Sequence, residues 1–326
     1  MDIFLQLVTT GILVGSVYGL VALGWVVIYK CSGVLNLAMG ELTLIGGYVC
    51  LSLYGGFCLP FLAQEGLCYP GFVKWMGPGI ALGLGVVGSL IIGFLLGLLT
   101  ERLFLRKMIG EPILAVIMVT VGLAFFFKGV VFLIWDTDLR VFTPPVFPSA
   151  DLRIGGQLVD GVMRGGIGIN QVYMWAFFAS MLLMLVFILF FKYTRWGLAM
   201  QACADDEMAA LSLGVSAKFV YALAWGIAFM SAGVGCTVLG NINGLNQSVS
   251  YLGLLVLPAV VFGGLNSIPG AIVGGITIGL LQNLAGGYLD QFFPGGVKEI
   301  APFVFMVVFL LFKPYGLWGW ERIERV

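Results

Sequence analysis

Long apolar stretches recur along the whole chain, and they constrain its fold more than any other feature of the sequence. Many of them approach or exceed about 18 residues, the length that a helix needs to cross a hydrocarbon layer about 30 Å thick. Of the 326 residues, 60% are hydrophobic and only 10% are charged. A soluble domain needs more polar residues than this to cover its surface. Membrane barrels show alternating segments of about ten residues instead, and those are missing. The sequence therefore predicts an all-α, polytopic membrane helix bundle.

We predict about eight to ten membrane-spanning helices, some of them discontinuous, in a single transmembrane domain covering 1–326. The predicted spans are 3–29, 34–55, 79–100, 112–135, 172–192, 218–240, 250–264, 268–288 and 297–312. The count depends on 241–295, where short or broken helices would change it from nine to eight or ten. With nine spans, ten Lys and Arg residues fall on one side and five on the other. This bias predicts that the N-terminus lies outside and the C-terminus in the cytoplasm.

Composition also excludes several kinds of function. The net charge is zero, so no nucleic-acid partner is expected, and the chain has no histidine. Without histidine, a Ser/His/Asp triad is excluded and the commonest metal ligand is missing, so we predict neither catalytic residues nor a metal site. The phosphate-binding motif G-x-x-x-x-G-K-[ST] is also absent, so the chain is not expected to bind ATP or any other cofactor itself.

Two loops are assigned to the outer side. The long loop 136–171 is predicted to be periplasmic, and a shorter loop carries both Cys58 and Cys68. An outer loop faces an oxidising space, so a Cys58–Cys68 disulfide is plausible. The alternative is two independent thiols in one short loop.

Two segments share the pattern Leu-Asn-x-x-x-Gly at the predicted start of a helix. They are Leu35–Gly40 and Leu265–Gly270. Asn and Gly favour turns and caps, so each segment indicates an interrupted or capped helix. Interrupted helices in corresponding positions of two halves point to the substrate path of many transporters. The alternative is that helix starts resemble each other without any duplication.

Polar residues inside the predicted spans are candidates for the lining of a solute path. Glu41 matters most, because a carboxylate inside the membrane is costly unless it is paired or wet. Lys128 is a conceivable partner, but regular helices place it near the opposite membrane face, and we expect it to snorkel outwards. The alternative for the amides is that they only hold helices together. The candidate path residues are Asn36, Glu41, Asn241, Asn243, Asn246, Gln247, Asn266, Gln282 and Asn283.

The predicted inner loop 193–217 has a helical signature that ends at Gly214, a natural helix stop. Met200, Ala204, Met208 and Leu211 fall at helical spacing along one side. The pattern predicts a short amphipathic helix presented to the cytoplasm, either as a docking element or as a solvated connector.

Three motifs in the chain are specific enough to suggest a family. They are Tyr29–Glu41 followed by Gly46-Gly47-Tyr48, then Ala209-Ala210-Leu211-Ser212-Leu213-Gly214, and finally the glycine-rich Val260–Gly275. In this order they resemble the branched-chain amino acid permeases of the LivH type, the membrane subunits of ATP-binding-cassette (ABC) importers. The chain departs from the family's pattern at Met39, where many relatives carry a polar residue, and at Met208, where related importers carry Glu.

The resemblance implies a bacterial inner-membrane permease subunit, without enzymatic activity of its own, that moves branched-chain or related amino acids inward. It implies two cytoplasmic ABC ATPase subunits that bind ATP and Mg²⁺, a second related permease chain, a periplasmic solute-binding protein and membrane lipid as partners. The residues implied in ATPase coupling are Asp205, Asp206, Glu207, Ala209, Ala210 and Gly214. The alternative function is a secondary transporter driven by an ion gradient, which would use Glu41 as its ion site.

Overall fold

A computed structural model describes most of the chain. The described residues are 2–58, 68–69, 71–108, 111–145, 151–154, 157–159, 162–164, 167–292 and 296–319. The helices are α1 (Asp2–Ser32), α2 (Met39–Gly55), α3 (Val73–Met76), α4 (Pro78–Leu103), α5 (Ile113–Trp135), α6 (Gln171–Tyr193), α7 (Arg195–Asp205), α8 (Glu207–Ser212), α9 (Ala217–Asn243), α10 (Leu252–Gly263), α11 (Ile268–Leu289) and α12 (Val297–Phe312). Short 3₁₀ helices cover Leu105–Met108 and Gln247–Tyr251.

The membrane-bundle prediction is confirmed. In the described ranges, six helices are long and apolar enough to cross a membrane: α1, α4, α5, α6, α9 and α11. The most apolar windows of α1 and α9 are 83% buried, whereas those of α4 and α5 are 22% buried. The first two therefore form the centre of the bundle, and the other two lie at its periphery.

Local sequence sets where several helices begin. Asn170 caps α6, because its side chain accepts a hydrogen bond from the Val172 N–H at 2.9 Å. Ser267 caps α11 by accepting from the Gly270 N–H at 3.1 Å, with Pro269 in the first turn. These caps satisfy backbone donors that would otherwise be unpaired.

Glycine allows the central helices to cross closely. A Cβ on Gly15 would lie 2.7 Å from the Cα of Ile276, and one on Gly279 would overlap the backbone of Gly15. Small residues at such crossings let two helix backbones approach each other within a membrane. The pair α1 and α11 is thereby locked by backbone proximity rather than by interdigitated side chains.

Two of the predicted spans are shorter than expected. The span predicted to begin at 34 begins as a helix only at Met39, because 33–38 is not helical. Within the predicted span 250–264, α10 has 12 residues and is about 18 Å long, less than a bilayer core. Both are discontinuous helices, as the sequence predicted for part of the bundle.

The start of α2 lies deep within the bundle. Met39 packs against Gly24, which lies eight residues before the end of α1 at Ser32. At 1.5 Å per residue, this places the start of α2 about 12 Å inside the end of α1. The segment 33–38 therefore runs back into the bundle before α2 begins.

The described parts of two loops, the long loop 136–171 and the shorter loop that carries Cys58 and Cys68, contain strands that the all-α prediction did not include. The strands are β1 (Phe57–Cys58), β2 (Cys68–Tyr69), β3 (Asp151–Ile154), β4 (Gln157–Val159), β5 (Val162–Arg164) and β6 (Ile167–Asn170). They form three antiparallel pairs, β1 with β2, β3 with β6 and β4 with β5. All of them lie at the end of the bundle where α2 and α5 finish, which we call the hairpin end. The opposite end, where α8 lies, is called the α8 end.

The first of these pairs bears on the predicted disulfide. In the backbone register, Cys58 is directly opposite Cys68. The side chains of both residues lie outside the described part of the structure, so the disulfide stays a prediction.

Candidate functional site

The start of α2 crosses the segment before α10 at backbone distance. A Cβ on Gly40 would overlap the carbonyl of Ser250, and a Cβ on Gly253 would overlap the backbone of Gly40. This crossing joins the two discontinuous helices at their N-terminal ends, inside the bundle. It is the feature around which the candidate site is built.

Glu41 occupies the one position near the start of α2 that is not buried. Every other residue from Met39 to Leu51 is buried, whereas Glu41 is half-buried. Its Oε2 accepts a hydrogen bond from Nε2 of Gln247 at 3.4 Å, and the same Nε2 donates to Ser250 Oγ at 3.3 Å. The crossing thus brings a carboxylate and an amide from distant parts of the sequence together.

The amide of Gln247 is only partly satisfied. Its Oε1 is buried and has no hydrogen-bond partner within the described residues. A buried acceptor without a donor is costly, and a native structure tolerates few of them. The site therefore contains an acceptor that is available to an additional N–H donor.

Helix α5 runs beside α2 in the same direction. The Leu37 N–H donates to Thr120 Oγ1 at 3.4 Å, and 15 residues later Trp135 Nε1 donates to Ser52 Oγ at 2.7 Å. Lys128 lies about midway between these two contacts. It is therefore level with the first turns of α2, about one turn towards the hairpin end from Glu41.

Lys128 and Glu41 interact electrostatically without forming an ion pair. The Lys128 Nζ lies 6.0 Å from the centre of the Phe132 ring, and its charge acts on the Glu41 carboxylate. Among the described residues, the one direct ion pair joins Arg106 and Glu101 at 3.2 Å and does not involve Glu41 or Lys128. We expected Lys128 to lie near the opposite membrane face and to snorkel away from Glu41. In the structure it lies close enough for its charge to act on the Glu41 carboxylate.

Asn36 is buried and contacts residues of the turn before α2. It is fully buried, and its Oδ1 accepts from the Ala38 N–H at 3.0 Å. Its Nδ2 lies 4.0 Å from the sulfur of Met39. Asn36 thus shapes the turn that leads into α2 and positions Glu41.

The second Leu-Asn-x-x-x-Gly segment lies in a different environment. Asn266 is exposed, and the cap of α11 is Ser267 rather than Asn266. A Cβ on Gly270 would overlap the carbonyl of Gly263 at the end of α10. The glycines of the two segments therefore pack on opposite ends of α10, whereas their asparagines are not equivalent.

The remaining candidate path residues are not brought to Glu41. Asn241 and Asn283 each donate back to their own helix, to the carbonyls of Thr237 at 2.8 Å and Gly279 at 2.9 Å. Gln282 is buried in α11, and its Oε1 has no partner among the residues that the structure describes. Asn243 is exposed and Asn246 is half-buried. Their part in a solute path stays a prediction.

Two participants in the site were missed from the sequence. Ser250 was placed at the edge of a predicted span, although it belongs to the 3₁₀ turn and contacts Gln247. Thr120 supports the non-helical segment before α2 from the middle of an apolar helix. A serine beside a short apolar run was the one signal available, and it does not indicate a partner.

The predicted inner loop forms two helices, not one, and the prediction of a single amphipathic face was wrong. The helix is interrupted at Asp206, whose φ is −153°. Asp206 Oδ1 caps α8 by accepting a hydrogen bond from the Ala209 N–H at 3.0 Å. Met200 is 1% exposed, whereas Met208 is 77% exposed. A capping aspartate stabilises a new helix start more than it continues the old one, which explains the break.

Helix α8 presents an apolar surface at the α8 end. Leu211 and Leu213 are exposed, Leu213 by 82%, whereas Ala210 is buried and its carbonyl accepts from the Val215 N–H at 3.0 Å. Gly214 ends this segment with a φ of +87°, a conformation that side chains other than glycine rarely adopt. Asp205 is exposed at the end of α7. The side chain of Glu207 lies outside the described residues.

Comparison with known proteins identifies a family for the chain. The profile of the family described as "Branched-chain amino acid transport system / permease component" matches residues 7–312. The chain is 30% identical to the high-affinity branched-chain amino acid transport system permease protein LivH of Escherichia coli K12, over 99% of this chain and 98% of that one. It is 28% identical to the permease protein BraD of Pseudomonas aeruginosa, over the same shares of each chain.

No solved structure matches the chain significantly. The family assignment therefore rests on sequence similarity along nearly the whole chain. The chain belongs to the family of branched-chain amino acid transport system permease components.

Proposed function

We propose that this chain is the membrane-spanning permease subunit of an ABC importer and moves branched-chain amino acids, or closely related small solutes, into the cell. The observation that carries the proposal is the crossing of α2 and α10, which holds Glu41 and Gln247 inside a bundle of the branched-chain permease family. Interrupted helices provide polar groups at membrane depth without breaking the apolar exterior. The substrate class follows from the names of the relatives.

Energy for transport comes from separate subunits in this proposal. Two cytoplasmic ATPases bind ATP and Mg²⁺, and this chain supplies the surface on which they act. Helix α8 suits that role, because Met208, Leu211 and Leu213 are exposed beyond the bundle. Rigid capping by Asp206 would transmit the movement of an ATPase into α7 and α9.

The remaining partners follow from the same proposal. A second related permease chain completes the pore, and the face that carries Glu41 and Lys128 looks towards it. A periplasmic binding protein delivers the solute to the hairpin end, where the loop 136–171 carries acidic and basic residues for docking. This orientation puts the N-terminus of the chain in the periplasm and the α8 end in the cytoplasm, in a bacterial inner membrane.

Transport then proceeds by alternating access. When the ATPases close on ATP and reopen after hydrolysis, their movement at α8 shifts the bundle between outward-open and inward-open states. The crossing at Gly40 and Gly253 is the point at which the path opens to one side or the other.

Purification followed by reconstitution tests the proposal. The tagged chain is isolated in mild detergent, its partners are identified by mass spectrometry, and the complex is placed in liposomes with its binding protein. We expect ATPases to co-purify and labelled leucine to accumulate only when ATP is supplied on the ATPase side. A chain that purifies without any ATPase, or that takes up leucine with an ion gradient and without ATP, would overturn the proposal.

A further inference from the structure

The candidate site contains two opposite charges that do not neutralise each other directly. Glu41 and Lys128 are both half-buried, lie on adjacent helices about one turn apart in depth and make no direct ion pair. A charged group inside a membrane protein is costly, and it is retained where it pairs or serves a path. The two charges therefore influence each other without a direct contact between them.

Around each charged group, the described residues leave part of the hydrogen-bonding capacity unused. The carboxylate of Glu41 accepts a long hydrogen bond, at 3.4 Å, from Gln247, and the Ser250 hydroxyl is a second side-chain partner. Beside it, Oε1 of Gln247 is a buried acceptor without a donor in the described residues. At the other charge, the Lys128 ammonium lies next to the Phe132 ring, which provides no acceptor oxygen. Within the described residues, the Glu41 end therefore has an acceptor, Oε1 of Gln247, without a donor, and the Lys128 ammonium makes no ion pair with a carboxylate.

We propose that Glu41, Gln247 and Lys128 form a two-pole site for the head group of a zwitterionic α-amino acid. The ammonium group of the solute donates to Glu41 and to Oε1 of Gln247, and the carboxylate of the solute accepts from Lys128. The inference rests on the proposed function and adds to it that the permease itself, and not only its binding protein, recognises the amino-acid head group. Charge-assisted hydrogen bonds of this kind are the strong ones in a site of low polarity.

The simplest rival is that Lys128 only balances the charge of Glu41. The two ideas differ for a variant that removes both charges. Simple balance predicts that Glu41→Gln and Lys128→Met each impair the protein and that the double variant recovers, since no uncompensated charge remains. A two-pole site predicts that the double variant is at least as impaired as either single variant, because both contacts with the solute are lost.

The test is uptake of labelled leucine by the reconstituted complex with its binding protein and ATP. We expect about a tenfold or larger loss of uptake at limiting leucine in both single variants and in the double variant. Assembly with the ATPases and their basal ATP hydrolysis are measured on the same samples, and both should be retained. The matched controls are Glu299→Gln and Lys313→Met, which alter exposed residues far from the site and should take up leucine normally.

A second experiment measures leucine binding to the purified complex in the absence of the binding protein. Leucine should raise the thermal midpoint of the purified wild-type complex and leave that of Glu41→Gln unchanged. The one-pole probes 4-methylpentanoate and 3-methylbutylamine should stabilise the wild type much less than leucine does. Recovery of uptake in the double variant, or equal stabilisation by leucine and by either probe, would overturn the two-pole site. A wild-type complex that hydrolyses ATP but does not transport leucine would instead contradict the proposed substrate.

Discussion

Substituting alanine for Gly40 should weaken the crossing at the centre of the proposed path. The added Cβ would overlap the carbonyl of Ser250, and α2 and the 3₁₀ turn would have to separate by roughly 1 Å before the contact became tolerable. Gly40 is helical without a positive φ, so the effect of alanine there is steric rather than conformational. Overpacking of this kind costs about 1–3 kcal/mol.

The assay is thermal unfolding of the detergent-purified complex, together with leucine uptake. For a chain of 326 residues, a cost of about 1–3 kcal/mol corresponds to a lowering of the thermal midpoint by about 1–5 °C. The matched control is Gly122→Ala in α5, where an added Cβ would meet nothing within 4 Å. The control should leave the midpoint unchanged or slightly raised, since alanine favours a helix. Equal midpoints for Gly40→Ala and Gly122→Ala would refute the close crossing.

Three further predictions concern the two ends of the bundle. Asp206→Ala should destabilise α8 by about 0.5–2 kcal/mol through loss of its cap and reduce co-purification of the ATPases, whereas Asp206→Asn should retain most of both. Gly214→Val should abolish uptake in a chain that still folds and inserts, because valine strains a φ of +87°; normal uptake would contradict the assigned coupling. Cys58 and Cys68 should resist a thiol-reactive label until a reductant is added, and labelling without reductant would exclude the disulfide.

The long helices were predictable because apolar length alone decides them. Each of the predicted spans 79–100, 112–135 and 172–192 agrees with a helix of the structure to within a few residues. Leu35–Gly40 also indicated the interruption before α2, since Asn and Gly are poor continuations of a helix. What the pattern did not set was the boundary, because the non-helical segment 33–38 is itself largely apolar.

The site was harder to predict because it depends on contacts between distant segments. Nothing in the sequence near Gly40 indicates that Ser250 and Gly253 cross it, more than 200 residues later. The pairing of Glu41 with Gln247 follows from that crossing and from no local pattern. The amides that hydrogen-bond within their own helices could not be separated from Gln247 by composition, since all of them are polar residues in apolar surroundings.

The helix break at Asp206 was also not predicted, because the composition around it favours a continuous helix. Alanine, methionine and leucine favour a continuous helix from 195 to 212, and this preference dominated the prediction. An aspartate three residues before Ala209 is an N-cap signal, and it outweighed helix propensity in the folded chain. As a result, Met200 faces the core and Met208 faces outward, instead of sharing one face.

Accessibility of position 41 tests the central claim, that Glu41 lies on an alternating-access path, most directly. Glu41→Cys is labelled in membrane vesicles of either orientation with a charged, membrane-impermeant thiol reagent, with and without trapped ATP. The native Cys31, Cys50, Cys203 and Cys236 are buried, so they give a low background, and Cys58 and Cys68 are replaced by serine. We expect Glu41→Cys to be labelled from one side of the membrane without ATP and from the opposite side once ATP is trapped. No labelling from either side in both states, or labelling that does not change with ATP, would contradict it.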